Sequence, residues 1–234
     1  MLNDLNFNPQ FQIGLNVSKM FCLVIGGCNE AEEKTVRLIA AKATITVIAP
    51  AITIGLQQLH SKNLITYKKR NFRQRDLKHI GLIINTERHD KKFCKKIFLK
   101  ASKKRILINT YDLPQFSTIS MAALVQCGHL RISISTSNAS PTLARQLRED
   151  LEEILIKSKN SGELIEFLEK LGELRLLAKK SISNSVNRMQ FLKSIVEGFH
   201  FKGTINLPSN WNKKLSKLKS ELQSDSLNHD TLTN

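Results

Sequence analysis

Leu23-Val24-Ile25-Gly26-Gly27-Cys28-Asn29-Glu30-Ala31 decides the fold, because an apolar strand runs there into a glycine turn and then into a helix. In the G-x-G-x-x-G/A pattern the first glycine permits the tight turn and the second lets backbone approach a pyrophosphate. The third small residue lets helix and strand pack closely. Gly26 and Ala31 fill the first and third places, whereas Cys28 fills the second. The stretch predicts a dinucleotide-binding turn in which the Cys28 side chain occupies the position where a glycine would let the phosphates approach the backbone.

Apolar runs and helical periodicity alternate on both sides of this turn, which is typical of βαβ units and a parallel sheet covered on both faces. The sequence thus predicts an α/β, Rossmann-like fold. The predicted strands are Met20–Ile25, Ile45–Ala49, Leu64–Tyr67, Leu82–Ile84 and Ile106–Ile108, and the predicted helices are Glu30–Ala41 and Lys91–Lys103.

The pattern changes after Pro114. We expect strands at Ile119–Gln126 and Leu130–Ser135, joined by a hairpin turn at Cys127-Gly128-His129. Ser140 and Pro141 predict the N-cap and first residue of a helix, since serine caps well and proline suits the first helical position. Residues 162–200 predict one or two amphipathic helices, and the chain is polar beyond Pro208.

Composition narrows the function classes. No stretch reaches the apolar length of a membrane span, and the first residues lack a secretory pattern. Four cysteines without a C-x-x-C pair indicate neither a zinc site nor a disulfide framework, so we expect reduced thiols and a cytoplasmic protein. The outlier is charge: 36 Lys and Arg against 20 Asp and Glu give +16. This balance favours a polyanionic partner, either nucleic acid or a small polycarboxylate.

Four motifs of this sequence resemble those of a known family and occur in the same order along the chain. Ser135-Thr136-Ser137-Asn138-Ala139-Ser140-Pro141-Thr142-Leu143-Ala144-Arg145-Gln146-Leu147-Arg148 resembles the S-T-x-G-x-S-P-x-L-A-R-x-x-R segment of precorrin-2 dehydrogenases. That family includes the N-terminal part of siroheme synthase, and many members are also sirohydrochlorin ferrochelatases. The glycine turn, Thr46-Val47-Ile48-Ala49-Pro50 and Asn109-Thr110-Tyr111-Asp112-Leu113-Pro114 match the other landmarks. The similarity extends from about residue 15 to about residue 200.

The resemblance implies a homodimer whose cleft binds a macrocycle bearing acetate and propionate groups. Such a substrate accounts for the basic charge, so we do not expect nucleic acid as the partner. We also expect no membrane partner. The implied parts are an NAD-binding domain at 1–113, a dimerisation segment at 114–150 and a helical domain at 151–205. The polar composition of the last residues predicts a poorly ordered tail at 206–234.

The resemblance also assigns site residues. NAD is expected at Gly26, Gly27, Cys28, Asn29, Glu30, Pro50 and Ala51, and the substrate at Thr136, Ser140 and Arg145. Asp112 matches the family's general acid/base, in dehydrogenation and in any Fe²⁺ insertion, and the alternative is a turn-forming aspartate. The alternatives for Arg145 and Arg148 are solvated helix charges. Cys28 is either a small packing residue or a thiol activated at a helix N-terminus. No resident metal site is predicted.

Several residues depart from the family pattern. Besides Cys28, the A-T-[ND] segment after the fourth strand is Asn85-Thr86-Glu87, and the asparagine that follows a few residues later is Lys92. Asn138 replaces a glycine and Ala122 a proline. A Glu87 side chain turned inward would repel cofactor phosphates. Most of these changes lie on the NAD side.

The sequence thus predicts NAD-dependent oxidation of precorrin-2 to sirohydrochlorin, with Fe²⁺ insertion as a further step. One alternative is a variant with impaired NAD binding that acts as a chelatase or tetrapyrrole-binding protein. An alternative of another class is a basic nucleic-acid-binding module.

Overall fold

The computed structural model of the chain describes residues 11–137, 139–157 and 161–201. Its strands are β1 (Phe21–Ile25), β2 (Thr44–Ala49), β3 (Thr66–Lys69), β4 (Ile80–Asn85), β5 (Leu107–Thr110), β6 (Ala123–Cys127) and β7 (Leu130–Ile134). Its α-helices are α1 (Asn29–Ala40), α2 (Ile54–Ser61), α3 (Lys91–Lys103), α4 (Pro141–Leu155), α5 (Ser161–Ser181) and α6 (Ser185–Ile195). Short 3₁₀ helices lie at Gln74–Leu77 and Pro114–Phe116.

Five strands form a parallel sheet in the order β3-β2-β1-β4-β5. The strand β1 is central, and Val24 lies between Val47 of β2 and Ile84 of β4. The chain builds outward from β1 to β3 and then crosses to β4 on the other side, so the strand order reverses between β1 and β4. Ligands of doubly wound folds bind at such a switch point, outside the carboxyl ends of the strands. The Rossmann-like expectation is confirmed.

Alternate residues of β1 enter two different cores. Cys22 and Val24 pack on the side covered by α1 and α2, whereas Leu23 and Ile25 pack on the side covered by α3. All four are at most 2% exposed, as expected for a parallel strand buried on both faces. Helices on opposite faces leave the strand ends as the open edge of the sheet.

The strands β6 and β7 form an antiparallel hairpin that packs against α4. Val125, Cys127 and Leu155 form the buried centre of a third apolar cluster, between the hairpin and α4. The hairpin turns at Gly128, whose φ of +53° is readily adopted by glycine. Ser140 caps α4 by accepting a hydrogen bond from Leu143 N at 3.1 Å, with Pro141 at the first helical position. The predicted cap and turn are both confirmed.

The chain divides into two compact units between Glu169 and Lys170, a boundary that falls within α5. The first unit contains the sheet, the hairpin and α4. In the second, Asn184 caps α6 through Val186 N and Asn187 N. Our finer boundaries, at residues 113/114, 150/151 and 205/206, stay predictions, and the predicted tail at 206–234 lies outside the described residues. Among the helices that the structure describes, none has the length and apolar character needed to cross a membrane.

Three predicted elements differ from the structure. The strand predicted at Leu64–Tyr67 begins at Thr66, because Leu64 N donates to Leu59 O and so continues the end of α2. The strand predicted from Ile119 begins at Ala123, since residues 117–119 bond instead to β5. Helix α2 was not predicted, because Gly55 and its polar residues weaken the apolar pattern, although Thr53 supplies a local N-cap.

Candidate active site

The glycine turn sits in a confined space between the ends of neighbouring strands. Gly26 has φ of +112°, and a Cβ there would collide with the hydroxyl of Thr86, which follows β4. A Cβ on Gly27 would collide with the backbone carbonyl of Ala51, which follows β2. Gly27 O also accepts a hydrogen bond from Thr53 N at 3.0 Å. Both glycines are therefore required by the fold itself, in addition to any role toward a cofactor.

Cys28 is the N-cap residue of α1, with extended backbone and no side-chain cap. Its side chain is exposed, and its thiol lies 3.6 Å from Thr86 Oγ1. The packing-residue hypothesis for Cys28 is therefore wrong, because a cap at the open edge of the sheet faces outward. Helix geometry leaves the first-turn N–H groups of α1, including those of Asn29 and Glu30, without an intrahelical carbonyl partner.

Two carboxylates approach the same turn. Glu30 accepts a hydrogen bond from the Cys28 thiol and another from its own backbone N–H, and these lower its pKa. Glu87 Oε1 lies 3.2 Å from the position that a Cβ on Gly26 would take. The inward orientation considered for Glu87 is thus the one observed. Both side chains bring negative charge to the place where cofactor phosphates would bind.

Asn85, one of the departures from the family pattern, holds the loop that carries Glu87. It is fully buried at the end of β4, where its Oδ1 accepts from Glu87 N at 3.2 Å and its Nδ2 donates to Cys94 Sγ at 3.4 Å. The Cys94 thiol in turn donates to Glu87 O at 2.8 Å, and burial raises the pKa of this thiol. The substitution therefore preserves an ordered loop.

The loop after β2 carries Pro50 and Ala51, which are exposed beside the glycine turn. Thr53 caps α2 by accepting from Leu56 N at 3.2 Å, and its hydroxyl donates to Glu32 of α1. A Cβ on Gly55 would collide with the Glu32 carboxylate, so α1 and α2 meet through this acid. Glu32 is a residue that the sequence did not single out.

Asp112 lies just after β5 with φ of +58°, a conformation that aspartate tolerates better than most residues. Its Oδ2 is 2.5 Å from Arg88 Nη1, and the guanidinium of Arg88 also lies 5.2 Å from the ring centroid of Tyr111. Burial raises the pKa of Tyr111, and Asp112 raises it further. The predicted acid/base is thus held by an arginine from the β4–α3 loop that sequence reasoning missed.

An open cavity of about 830 Å³ is lined by Tyr111, whereas Asp112 and Arg88 are not in its lining. Its walls come from α1, the residues after β5, the β6–β7 hairpin and α4. Of the predicted substrate residues, Thr136 and Arg145 line it, as does Tyr111 immediately before Asp112. Ser140 is not in the lining and acts as the cap of α4. Ala122, which stands where the family has a proline, also lines the cavity.

Four basic side chains line the cavity: Lys34, Arg37, Arg145 and Arg148. Arg37 donates to Ala122 O at 3.3 Å, and burial lowers its pKa. Arg145 pairs with Glu149, and Arg148 pairs with Glu149 and Glu152, so both also stabilise the surface of α4 as the alternative interpretation expects. Two acidic residues, Glu33 and Glu152, share the lining, which leaves an excess of positive charge.

Known proteins resemble this chain in sequence. It is 34% identical over 179 residues to the siroheme synthase of Blochmanniella pennsylvanica, covering 76% of this chain and 36% of that protein. It is 28% identical over 185 residues to the siroheme synthase of Acinetobacter baylyi, covering 79% and 39%. The chain is homologous to the N-terminal part of siroheme synthases. It spans less than two fifths of the length of these relatives.

Two further comparisons agree with this homology. Residues 13–123 match a family described as putative NAD(P)-binding. The fold matches that of SirC, a precorrin-2 dehydrogenase, with a TM-score of 0.63 and 20% identity over 92% of this chain and 98% of that one. The family resemblance and the fold derived from the sequence are therefore confirmed.

The backbone of the turn fits a dinucleotide. A positive-φ glycine, a helix N-terminus and a strand-order reversal coincide at Gly26–Cys28, as phosphate binding in this fold requires. The side chains of Glu30 and Glu87, as placed at the turn, oppose the phosphates electrostatically. The described residues contain no group of three or more His, Cys, Asp or Glu that could hold a metal ion.

Proposed function

We propose that the chain oxidises precorrin-2 to sirohydrochlorin with NAD⁺ in siroheme biosynthesis. The main support for this proposal is the cavity of about 830 Å³, which is lined by Tyr111, Thr136 and Arg145. Tyr111 immediately precedes Asp112 in the sequence. The size and positive charge of this cavity suit a polycarboxylate macrocycle. Homology to siroheme synthases supports the same substrate class. The enzyme acts as a homodimer in the cytoplasm, where its four free cysteines stay reduced.

Substrate binding rests on the basic residues of the cavity. Acetate and propionate groups pair with Lys34 and Arg37 on one wall and with Arg145 and Arg148 on the other. Arginine matches a carboxylate with two parallel hydrogen bonds, which fixes orientation as well as charge. Thr136 and, through the helix it caps, Ser140 position the wall that carries Arg145.

NAD⁺, when bound, accepts a hydride from the reduced ring carbon of the substrate. The backbone of Gly26 and Gly27 and the first-turn N–H groups of Asn29 and Glu30 would hold its phosphates, and Pro50 and Ala51 would lie beside its adenosine. Loss of a hydride leaves a proton to be removed. The Asp112 carboxylate accepts this proton, and Arg88 keeps the carboxylate in place beforehand.

Fe²⁺ insertion is a second proposed step at the same site, with Fe²⁺ as a substrate. Entry of the ion into the ring releases two pyrrole protons, and Asp112 takes them up in turn.

A chelatase without dehydrogenase activity is the second candidate, and the carboxylates of Glu30 and Glu87 favour it. Both lie at the glycine turn, where they weaken the binding of an anionic cofactor. In this case Asp112 and the cavity keep their roles, and only the hydride step is lost.

Incubation of the purified chain with precorrin-2, with and without NAD⁺, tests these candidates through the visible spectrum. The proposal predicts sirohydrochlorin formation that requires NAD⁺ and is lost in Asp112→Asn. Conversion of supplied sirohydrochlorin plus Fe²⁺ to siroheme, without any NAD⁺-dependent oxidation, supports the chelatase instead. Neither reaction under conditions where an authentic precorrin-2 dehydrogenase is active excludes both.

A further inference from the structure

Helix α3 exposes a stripe of positive charge that the proposed reaction does not use. Five lysines line a shallow groove of about 470 Å³ on its outer side: Lys92, Lys95, Lys96, Lys100 and Lys103. We call these five residues the lysine face. The apolar side of the same helix, with Ile97 and Ala101, packs into the core opposite to the one that α1 covers. Because α1 contributes one wall of the active-site cavity, the lysine face lies on the other side of the sheet.

The lysine face is costly for the helix that carries it. Its members recur three or four residues apart, where like charges repel across adjacent turns. Lys92 also lies in the first turn, where the helix dipole disfavours a cation. No Asp or Glu lines the groove, and within the described part of the chain none of the five lysines forms an ion pair. Lys100 donates to Gln74, a neutral partner. The helix dipole favours Lys100 and Lys103 in the last turn, but no ion pair in the described part of the chain offsets the five charges. Such a cluster of unpaired like charges is typical of a surface kept for a ligand.

The composition of this face indicates the class of ligand. Protein interfaces are depleted in lysine and enriched in aromatic residues and arginine, whereas this groove contains five lysines and Leu99. A membrane-surface helix presents a broad apolar face to the lipid, but Ile97 and Ala101 of α3 are buried in the core and the groove contains one apolar residue, Leu99. The lining offers no aromatic ring on which a base could stack. A row of flexible point charges instead matches the phosphates of a nucleic-acid backbone.

We propose that the lysine face binds the phosphate backbone of duplex nucleic acid without sequence preference. This inference does not depend on the proposed reaction, since it uses a different face of the sheet. It also explains part of the net charge of +16, because the five lysines lie outside the cavity that is proposed to bind carboxylates.

The test is binding of the full chain to a random-sequence DNA duplex across a salt series. If all five lysines contact phosphates, log K falls with log salt at a slope of about −4.5, which is about 500-fold between 50 and 200 mM. The triple substitution Lys92→Gln, Lys96→Gln and Lys100→Gln reduces the slope to about −1.8. The matched control, Lys42→Gln with Lys62→Gln, removes two exposed lysines on the α1 and α2 side and leaves the contacts of the lysine face intact. Melting temperatures verify that each variant is folded.

Three results would overturn the proposal. The first is no duplex binding at 50 mM salt, and the second is a triple variant that keeps the parent slope while folded. The third is binding to polyglutamate, or to vesicles of equal parts anionic and zwitterionic lipid, in preference to the duplex at the same salt. A steep slope that the triple variant loses and the control keeps supports it.

Discussion

Arg88 and Asp112 form an ion pair in which Nη1 lies 2.5 Å from Oδ2, although the two residues are 24 positions apart in the sequence. Arg88 follows β4 and Asp112 follows β5, and these strands are neighbours in the sheet. The carboxyl ends of parallel strands meet at one edge, so the fold brings the two side chains together. The same guanidinium covers the ring of Tyr111, which lines the cavity. The pair thus links the predicted acid/base to a residue in the wall of the cavity.

Replacing Arg88 distinguishes its proposed role in positioning the Asp112 carboxylate from its contribution to the free energy of unfolding. The pair is solvent-exposed, so Arg88→Gln is expected to change the free energy of unfolding by less than about 1 kcal/mol. Loss of the positioned carboxylate lowers kcat by about tenfold or more, because small misplacements of a reacting group are costly. Urea denaturation and steady-state rates check the two effects. Arg131→Gln, an exposed change on β7, serves as the control, and equal kcat losses in both variants would contradict a positioning role for Arg88.

Asp112→Asn isolates the charge of the proposed acid/base from its backbone conformation. Asparagine tolerates the positive φ at this position, so unfolding is expected to change by less than about 0.5 kcal/mol. The turnover falls by about 10²–10⁴-fold, the range for removal of a general acid or base. A turnover within a factor of two of the parent would mean that Asp112 is only the turn residue considered from the sequence.

Gly27→Ala tests the confined space at the turn. The new Cβ meets the backbone carbonyl of Ala51, which cannot move aside as a flexible side chain would, and we expect destabilisation of about 1–3 kcal/mol. Gly172→Ala is the matched control, because a Cβ there meets nothing within 4 Å and lies in the interior of α5. The control is expected to stabilise by about 0.5–1 kcal/mol. If denaturation shows the same sign for both, the collision at Ala51 is not the controlling factor.

Glu87→Gln tests whether this carboxylate weakens cofactor binding. Removing one negative charge about 4 Å from a phosphate in a water-like environment lowers the Kd for NAD⁺ by about fivefold, from roughly 1 kcal/mol of relieved repulsion. Isothermal titration calorimetry measures the Kd, with Glu163→Gln on α5 as a control remote from the turn. An unchanged Kd in Glu87→Gln would show that the side chain turns away when the cofactor binds.

The Arg70–Asp76 pair predicts a specific pH dependence of stability. Asp76 is 4% exposed and accepts from Arg70 at 2.6 and 2.8 Å and from Arg73 N at 2.7 Å, and the hydrogen bond from Arg70 lowers its pKa. A lowered folded-state pKa stabilises the fold above the unfolded value of about 3.9, and this contribution is lost as pH falls through the folded-state pKa.

Asp76→Asn should therefore cost about 1–3 kcal/mol at pH 7, from the loss of charge-assisted hydrogen bonds. The difference from the parent stays constant down to about pH 5 and narrows below about pH 4. Urea unfolding at a series of pH values measures it. A difference that widens on acidification would contradict the sign derived from the pKa.

Local signals were sufficient for much of the fold. The spacing of Phe93, Ile97 and Phe98 predicted α3 with its observed bounds, and Ser140-Pro141 predicted the start of α4. Helix α2 was missed because Gly55 and a polar surface weaken its pattern. Thr53 caps its first turn locally through Leu56 N and is itself held by a hydrogen bond to Glu32, 21 positions away in the sequence.

The site was predicted unevenly for the same reason. The family motifs indicated Asp112, Thr136 and Arg145, which the structure places around or beside the cavity. They did not indicate Arg88, whose contact with Asp112 exists only once β4 and β5 are paired. The turn at Asn138, which a glycine fills in the family, lies outside the described residues.

We propose that NAD⁺ and precorrin-2 react at this site despite Cys28 and Glu87. The decisive measurement is the stoichiometry of NADH and sirohydrochlorin formed from precorrin-2 by the parent chain, with Cys28→Gly and Asp112→Asn alongside. We expect one NADH for each sirohydrochlorin, formed at least as fast in Cys28→Gly, and both products formed about 10²–10⁴-fold more slowly in Asp112→Asn. Sirohydrochlorin formed without NADH, or equal rates in Asp112→Asn and the parent, would refute the proposed reaction.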